Sequence, residues 1–97
     1  MHARFVLYAF KPGTTAEVTK KAETGLLPIF LRQPGYRSYQ VVSTGPDSAI
    51  SFSTWDTEAH CQEAVKVAKK WVDANIASEV VSATTHVGPV LFPDTKK

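Results

Sequence analysis

The sequence of 97 residues, 43% hydrophobic and 21% charged, has the size and composition of one compact domain and is too short for two cores. The formal net charge of +2 falls to neutral without Lys96 and Lys97, so we expect neither a nucleic-acid nor a membrane partner. A lone cysteine, no apolar run of membrane-spanning length and no signal-peptide pattern predict a cytoplasmic protein without internal disulfides.

The first predicted elements are a strand and a helix. Residues 4–10 (RFVLYAF) are rich in aromatic and β-branched types, as buried strands are, and the segment Lys11-Pro12-Gly13 ends the run. Thr14 and Glu17 have the spacing of a capping box at a helix start. The apolar periodicity that follows predicts a helix over about residues 14–33.

Proline and glycine then punctuate the chain. Pro28 removes one backbone N–H from the predicted helix, so we expect a kink or an early end near Leu27. Residues 36–42 (YRSYQVV) predict a second strand, and Gly45-Pro46-Asp47 predicts the turn of a hairpin. The alternating segment 49–55 (AISFSTW) predicts the returning third strand.

The last part of the chain predicts a second helix and a fourth strand. Asp56 or Thr57 is expected to cap the helix, whose small and apolar residues recur at helical spacing. Residues 75–78 predict a turn, and residues 80–87 (VVSATTHV) predict the final strand. Gly88-Pro89 is expected to bend the chain before a short tail.

The order β-α-β-β-α-β predicts an α+β, ferredoxin-like fold, an antiparallel sheet with two helices on one face. We expect a single domain over residues 1–97, with its core at about 4–87 and a C-terminal tail at 88–97. Two helices cover only one face of a four-stranded sheet, so the other face exposes apolar rows that include Ile50 and Phe52. Burial of such rows predicts a homodimer through the open sheet face.

Four motifs resemble the antibiotic biosynthesis monooxygenase-like group of the dimeric α/β-barrel superfamily. They are Lys11-Pro12-Gly13 after the first strand, Leu27-Pro28 in the first helix, Gln33-Pro34-Gly35-Tyr36 before the second strand, and residues 53–59 (STWDTEA) at the end of the third strand. Their order and spacing cover about residues 4–87. The resemblance implies a homodimeric barrel with a pocket between the sheet and the helices of each subunit.

The resemblance also implies candidate activities. Several members of the group oxidise aromatic polyketides without metal or flavin, and relatives degrade haem. The quinone-forming monooxygenases carry an Asn four positions before the strand-end Trp; here the Trp is Trp55 and that position is Ser51. The haem-degrading relatives use an Asn and a His at positions that are Val6 and Val65 here.

The candidate substrate-binding residues lie on two strand rows that the resemblance places against the helices. Trp55 with Ser51 and Ser53 would form a polar corner in an apolar pocket, or Trp55 would fill the core as buried aromatic residues do. Tyr8 lies on the row of Arg4, and its phenol would orient or deprotonate a phenolic substrate, or would be a core side chain.

His86 on the last strand is the one plausible general base, since an ordinary histidine titrates near neutral pH. His2 lies at the terminus, and an exposed His60 in a first helical turn is ordinary. No pair of histidines or carboxylates has the spacing of metal ligands, and no nucleotide-binding motif is present. We therefore expect no metal and no cofactor.

Two further predictions concern Tyr36, Tyr39 and Cys61. The tyrosines are three positions apart in a strand, so we expect their side chains on opposite faces. Cys61 lies near a helix start, where a thiol can be activated, but its place on the apolar stripe favours an inert buried thiol.

Two functions fit these residues. The first is a cofactor-independent monooxygenase-like enzyme that acts on a small apolar or phenolic molecule, with His86 or Tyr8 as the catalytic group. The second is a non-catalytic dimeric barrel that binds a small hydrophobic ligand or serves as an assembly module. The family resemblance favours the first, and the scarcity of polar pocket residues favours the second.

Overall fold

The computed structural model describes residues 1–92, and the rest of the predicted tail lies outside the described residues. The elements follow one another in the order β1 (His2–Phe10), α1 (Thr15–Lys21), a π-helical segment (Ala22–Leu26), α2 (Leu27–Leu31), β2 (Tyr36–Gly45), β3 (Ser48–Trp55), α3 (Glu58–Asn75) and β4 (Val80–Pro89). None of these helices is long and apolar enough to cross a bilayer.

The four strands form one sheet in the order β2-β3-β1-β4, and all neighbouring strands pair antiparallel. The helices pack against a single face of this sheet, which is the side of Val6 and Trp55 and is called the covered face below. The opposite side, which carries Phe5 and Phe52, is called the open face. The predicted ferredoxin-like α+β fold is confirmed.

Pro28 does not end the first helix, which continues through a π-helical segment directly before it. The N–H of Leu27 bonds to the carbonyl of Ala22, five residues back, as a π turn requires. Pro28 follows this π turn at the start of α2, so its missing N–H falls where the regular α-helical bonding is already interrupted. The predicted irregularity near Leu27 is therefore a local change from α-helical to π-helical hydrogen bonding, and the helix does not break there.

The two predicted helix caps have different outcomes. The prediction of a capping box at Thr14 is wrong. The Thr14 hydroxyl donates to the carbonyl of Lys11 at 2.7 Å and caps no helical N–H. The tight turn that begins at Lys11 takes the hydroxyl away from the helix. Thr57 is confirmed as the cap of α3, since its Oγ1 accepts the N–H of His60 at 3.2 Å.

The last strand is longer than the sequence predicts. β4 runs through Pro89, which pairs with His2, and the N–H of Val90 donates to the carbonyl of Met1 at 2.9 Å. The predicted bend at Gly88-Pro89 is wrong, because β4 is an edge strand in which a proline costs no ladder hydrogen bond on its free side.

The core consists of two apolar clusters under the helices. The larger one centres on Trp55 and the smaller one on Phe10, and Trp71 of α3 packs against both. The buried members are Leu26, Phe30, Trp55, Cys61, Ala64 and Ala68 in the first cluster, and Phe10, Val18, Ala49 and Ile76 in the second.

The open face exposes the apolar rows that the sequence predicts. Phe5 pairs with Phe52 across β1 and β3, and their ring centroids are 5.0 Å apart. Leu7 pairs with Ile50 on the same face and keeps 44% of its surface exposed, as Phe5 keeps 39%. Large apolar side chains in such a contiguous patch are typical of an interaction surface.

Gly35 joins α2 to β2, and we expect Gly35→Ala to destabilise the protein by about 1–3 kcal/mol. Its φ is +79°, a conformation that side chains rarely adopt, and a Cβ there would lie 2.2 Å from Nδ1 of His60. Thermal unfolding followed by circular dichroism measures the loss.

Gly13→Ala is the matched control for Gly35→Ala. Gly13 has a similar φ of +81°, but no atom lies within 4 Å of a Cβ placed there, so only backbone strain is added. We expect Gly13→Ala to be milder. The additional His60→Ala substitution should relieve only part of the cost of Gly35→Ala, because it removes the ring but keeps the Cβ of residue 60, which would lie 2.8 Å away. Equal losses in the two single variants would contradict the clash with His60.

Candidate functional site

Three of the four strands bring polar side chains together on the covered face. Arg4 and Tyr8 of β1 lie two positions on either side of Val6, whose partner in β3 is Ser51. Tyr39 of β2 pairs with the neighbouring Ser53. We call Arg4, Tyr8, Tyr39 and Ser51 the polar cluster; it lies between the sheet and the helices, in an otherwise apolar layer.

Trp55 and Ser53 lie in the core beside this cluster. Trp55 is 0% exposed, and its Nε1 donates to Oγ of Ser53 at 3.0 Å. The rings of Phe30 and Tyr36 pack edge-on against the indole, with centroids 5.1 and 5.5 Å away. A ligand ring could stack on Trp55 only by displacing one of these side chains.

Tyr36 and Tyr39 lie on the same face of the sheet, so the prediction that they point to opposite faces is wrong. Tyr36 pairs with Trp55 and Tyr39 pairs with Ser53, and the register shifts between the two pairs. The irregularity at Arg37 adds one residue to β2 relative to β3. Two side chains three positions apart therefore point to the same face. Both tyrosines therefore pack against the Trp55 cluster.

Arg4 is the functional candidate that the sequence reasoning named only as a member of a strand row. Its side chain is buried, with 2% of the residue exposed, and Nη1 donates to Oγ of Ser51 at 3.5 Å. Its guanidinium carbon lies 5.7 Å from the ring centroid of Phe30. The sequence did contain a signal for this site, because Arg4 is a charged residue on the β1 row that was expected to face the helices.

A cavity of about 160 Å³, called the α3 cavity below, opens between α3 and the β1–β4 half of the sheet. Arg4 and Tyr8 form part of its lining, and it is bordered by the exposed short side chains of β4. The lining residues are Arg4, Val6, Tyr8, Val65, Lys69, Val72, Asp73, Ala83 and Thr85.

The positions singled out by the family resemblance meet at this region of the covered face. Val6 and Val65, which stand where the haem-degrading relatives have Asn and His, both line the α3 cavity. Ser51 lines a smaller void of about 30 Å³, and Tyr8 borders both spaces. The smaller void has room for about one water molecule.

Burial sets the protonation of the two tyrosines in the polar cluster. It raises the pKa of Tyr8 above its ordinary value, and the nearby charge of Arg4 only partly opposes this rise. Burial likewise raises the pKa of Tyr39, against the opposing effects of Ser51 and Arg4. Both side chains are therefore neutral phenols at neutral pH, which suits Tyr8 to orienting a substrate rather than deprotonating it.

Cys61 is a buried thiol at the first turn of α3. It is 0% exposed, and burial raises its pKa, while the charge of Arg4 opposes the rise. A protonated and enclosed thiol is a poor nucleophile, so these observations favour the inert alternative.

His86 lies on the other side of the sheet from Tyr8. It pairs with Phe5 and lines a shallow depression of the open face with Phe52. The structure thus does not bring His86 together with Tyr8 and Trp55. Within residues 1–92 there is also no group of three His, Cys, Asp or Glu side chains that could hold a metal ion.

Comparison with known proteins gives structural matches only: no family model and no curated protein matches the sequence. A protein of unknown function from Nitrosomonas europaea matches with a TM-score of 0.83 and 22% identity, over 99% of this chain and 94% of that one. A second protein from Nitrosomonas europaea, provisionally named an antibiotic biosynthesis monooxygenase, matches with a TM-score of 0.76 and 18% identity, over 95% and 100%.

A third match is a monooxygenase from the gene ActVA-Orf6 of Streptomyces coelicolor, in complex with the ligand Nanaomycin D. Its TM-score is 0.74 at 13% identity, over 99% of this chain and 92% of that one. All three matches extend over more than nine-tenths of both chains, so the similarity concerns the whole fold. The protein therefore has the ferredoxin-like fold of the antibiotic biosynthesis monooxygenase-like domains, as its sequence motifs indicated.

Proposed function

We propose that the protein is a cofactor-independent monooxygenase-like enzyme that oxidises a small phenolic molecule bound in the α3 cavity. The observation that carries the proposal is the neutral Tyr8 phenol at the lining of a cavity with valine walls. A volume of about 160 Å³ suits one aromatic ring, because an apolar cavity of about 150 Å³ in another protein binds benzene.

The proposed reaction needs no reductant besides the substrate. A phenol and O₂ give a quinone and one water: a C–H bond and the O–H bond break, the phenol C–O bond becomes C=O, and a new C=O bond forms at the carbon that lost its hydrogen. Four electrons pass from the ring to O₂, one oxygen atom enters the product, and the other leaves as water with both hydrogens. A neighbour of the same fold is a monooxygenase in complex with the ligand Nanaomycin D, which supports a ligand-binding oxygenase on this fold.

Tyr8 is the side chain to which we assign the contact with the substrate oxygen. A neutral phenol donates a hydrogen bond to that oxygen and stabilises the negative charge that develops as the substrate ionises. The proposal leaves His86 out, because the sheet separates its side chain from the α3 cavity. Ser51, Ser53 and Trp55 support the site from the core, where their polar atoms bond to protein groups.

The test is oxidation of single-ring phenols by the purified protein in air. We expect O₂ consumption equal to substrate loss, and one labelled oxygen atom in the product under ¹⁸O₂. Tyr8→Phe is expected to lower kcat/KM by about tenfold or more, because the hydrogen bond to the substrate oxygen is lost. An oxygen electrode and mass spectrometry measure both results.

Tyr36→Phe is the matched control for Tyr8→Phe. Tyr36 lies on the same covered face but packs against Trp55 and does not line the α3 cavity. We expect its substitution to leave kcat/KM unchanged within about twofold. Similar losses in the two variants would argue against a specific role of Tyr8.

The alternative function is a non-catalytic barrel that binds a small hydrophobic ligand. The apolar Val6 and Val65 favour it, because they line the α3 cavity where the haem-degrading relatives carry polar residues. Ring compounds that bind to the protein without O₂ consumption would support this alternative and contradict the enzyme.

We further propose that two copies of the chain form a homodimer through the open face. The exposed Phe5, Leu7 and Phe52 support this arrangement, since a second sheet would remove them from water. We also propose a cytoplasmic location, which suits the single, protonated thiol of Cys61.

A further inference from the structure

The buried charge of Arg4 has no counter-charge among the described residues. None of the ion pairs within residues 1–92 includes Arg4, and its Nε is buried without a hydrogen-bond partner. Its identified contacts, the hydroxyls of Ser51 and Tyr8 and the ring of Phe30, are all uncharged. A guanidinium that is 2% exposed therefore lies in the core with no carboxylate of residues 1–92 paired to it.

Such an arrangement is costly for the protein alone. Removing an ion from water costs several kcal/mol unless an opposite charge and satisfied hydrogen bonds offset it. Neutral contacts offset only part of this cost, and an unpartnered buried N–H adds to it. An anion in the α3 cavity, whose lining includes Arg4, would place the missing opposite charge beside this side chain.

We propose that Arg4 binds the carboxylate of a single-ring aromatic acid, of the hydroxybenzoate type, in the α3 cavity. This inference rests on the proposed function, because it names the class of phenol that the same cavity would take. A carboxylate is ionised at neutral pH, whereas a free phenol is not, so only the acid brings a full negative charge to the guanidinium. Its two oxygens also match the paired N–H groups of arginine.

The rest of the cavity fits this class of ligand. Val6, Val65 and Val72 supply apolar walls for the ring. The neutral hydroxyl of Tyr8 remains free to donate to a ring oxygen, since burial raises its pKa.

The charged residues at the rim of the cavity contribute little to its preference for an anionic or a cationic ligand. Lys69 and Asp73 both border it, and their charged groups pair with each other at 3.6 Å. Both side chains are largely exposed to solvent, which weakens their field further. Selectivity for an anion therefore depends on Arg4.

The test is calorimetric titration of the full chain with sodium benzoate, with its neutral analogue benzamide, and with sodium acetate. We expect benzoate to bind with a stoichiometry of one, and benzamide and acetate to bind at least about tenfold more weakly. Because the three ligands are compared on the unmodified protein, the result does not depend on whether any variant folds. Benzoate should also raise the Tm, and the rise should continue with the logarithm of the benzoate concentration above the Kd.

Arg4→Met and Lys69→Met are the matched variants. Arg4→Met is expected to weaken benzoate binding at least about tenfold and to leave the Tm unchanged or higher, because a buried charge is replaced by an apolar chain of similar length. Lys69→Met removes a charge at the rim and is expected to change benzoate affinity less than about threefold. Arg4→Lys keeps the charge and should retain more affinity than Arg4→Met.

Equal affinity for benzoate and benzamide, or unchanged benzoate binding in Arg4→Met, would overturn the inference. Acetate binding as tight as benzoate would overturn the part that concerns the ring. If neutral phenols are oxidised while benzoate does not bind, the proposed function stands and this inference fails. If neither phenols nor benzoate bind, both fail.

Discussion

Trp55→Ala is expected to lower the free energy of unfolding by about 3–5 kcal/mol, which is a large part of the stability of a domain of this size. Trp55 is fully buried, packs edge-on against Phe30 and Tyr36, and donates its indole N–H to Ser53. Alanine would leave a cavity in the centre of the larger core cluster and would remove the donor to a buried hydroxyl. Chemical denaturation followed by circular dichroism measures the change.

Leu31→Ala is the control for a large-to-small substitution outside the core. Leu31 is 58% exposed at the end of α2, so we expect a change within about 0.5 kcal/mol. Trp55→Phe should be intermediate, because it keeps most of the apolar volume and loses the hydrogen bond to Ser53. A stability of Trp55→Ala within about 1 kcal/mol of the unmodified protein would show that the indole is not a core element.

This stability effect also bears on function. Loss of ligand binding in Trp55→Ala cannot be assigned to a lost contact with the ligand, because the same substitution weakens the core cluster whose Phe30 packs on Arg4. Trp55→Phe, compared with the unmodified protein at a temperature where both are folded, separates the two effects. We expect it to bind ligands as the unmodified protein does, since the indole does not line the α3 cavity.

Phe52→Asp is expected to convert the proposed homodimer into a monomer at micromolar protein. Phe52 packs on Phe5 in the middle of the open face, and the two-fold symmetry of a homodimer would bring two such carboxylates into one apolar interface. Burial of unpaired like charges costs more than an interface of this kind supplies. Sedimentation velocity over a range of concentrations measures the assembly state.

Ala74→Asp is the matched control, because Ala74 is exposed on α3, away from the open face. It introduces the same charge and should leave the dimer intact. If Phe52→Asp does not fold, the concentration dependence of the unmodified protein still decides the question. An unmodified protein that stays monomeric at micromolar concentration would contradict the proposed dimer.

The local pattern of the sequence determined the order of the elements and much of the covered face. Alternation and helical periodicity depend on neighbours within a few residues, and these neighbours persist in the fold. The burial of Trp55, the Thr57 cap and the exposed row with Phe52 followed from such patterns. The order β-α-β-β-α-β predicted the antiparallel sheet with helices on one face, and the family motifs implied the same fold, which is confirmed.

Only the tertiary structure decided which side chains meet at the candidate site. The irregularity at Arg37 turned Tyr36 and Tyr39 to one face, because pairing with β3 rather than the spacing along β2 sets their direction. The register of β4 against β1 put His86 on the open face, away from Tyr8. Likewise, the burial of Arg4 beside Ser51, 47 positions along the chain, required contacts that no local periodicity encodes.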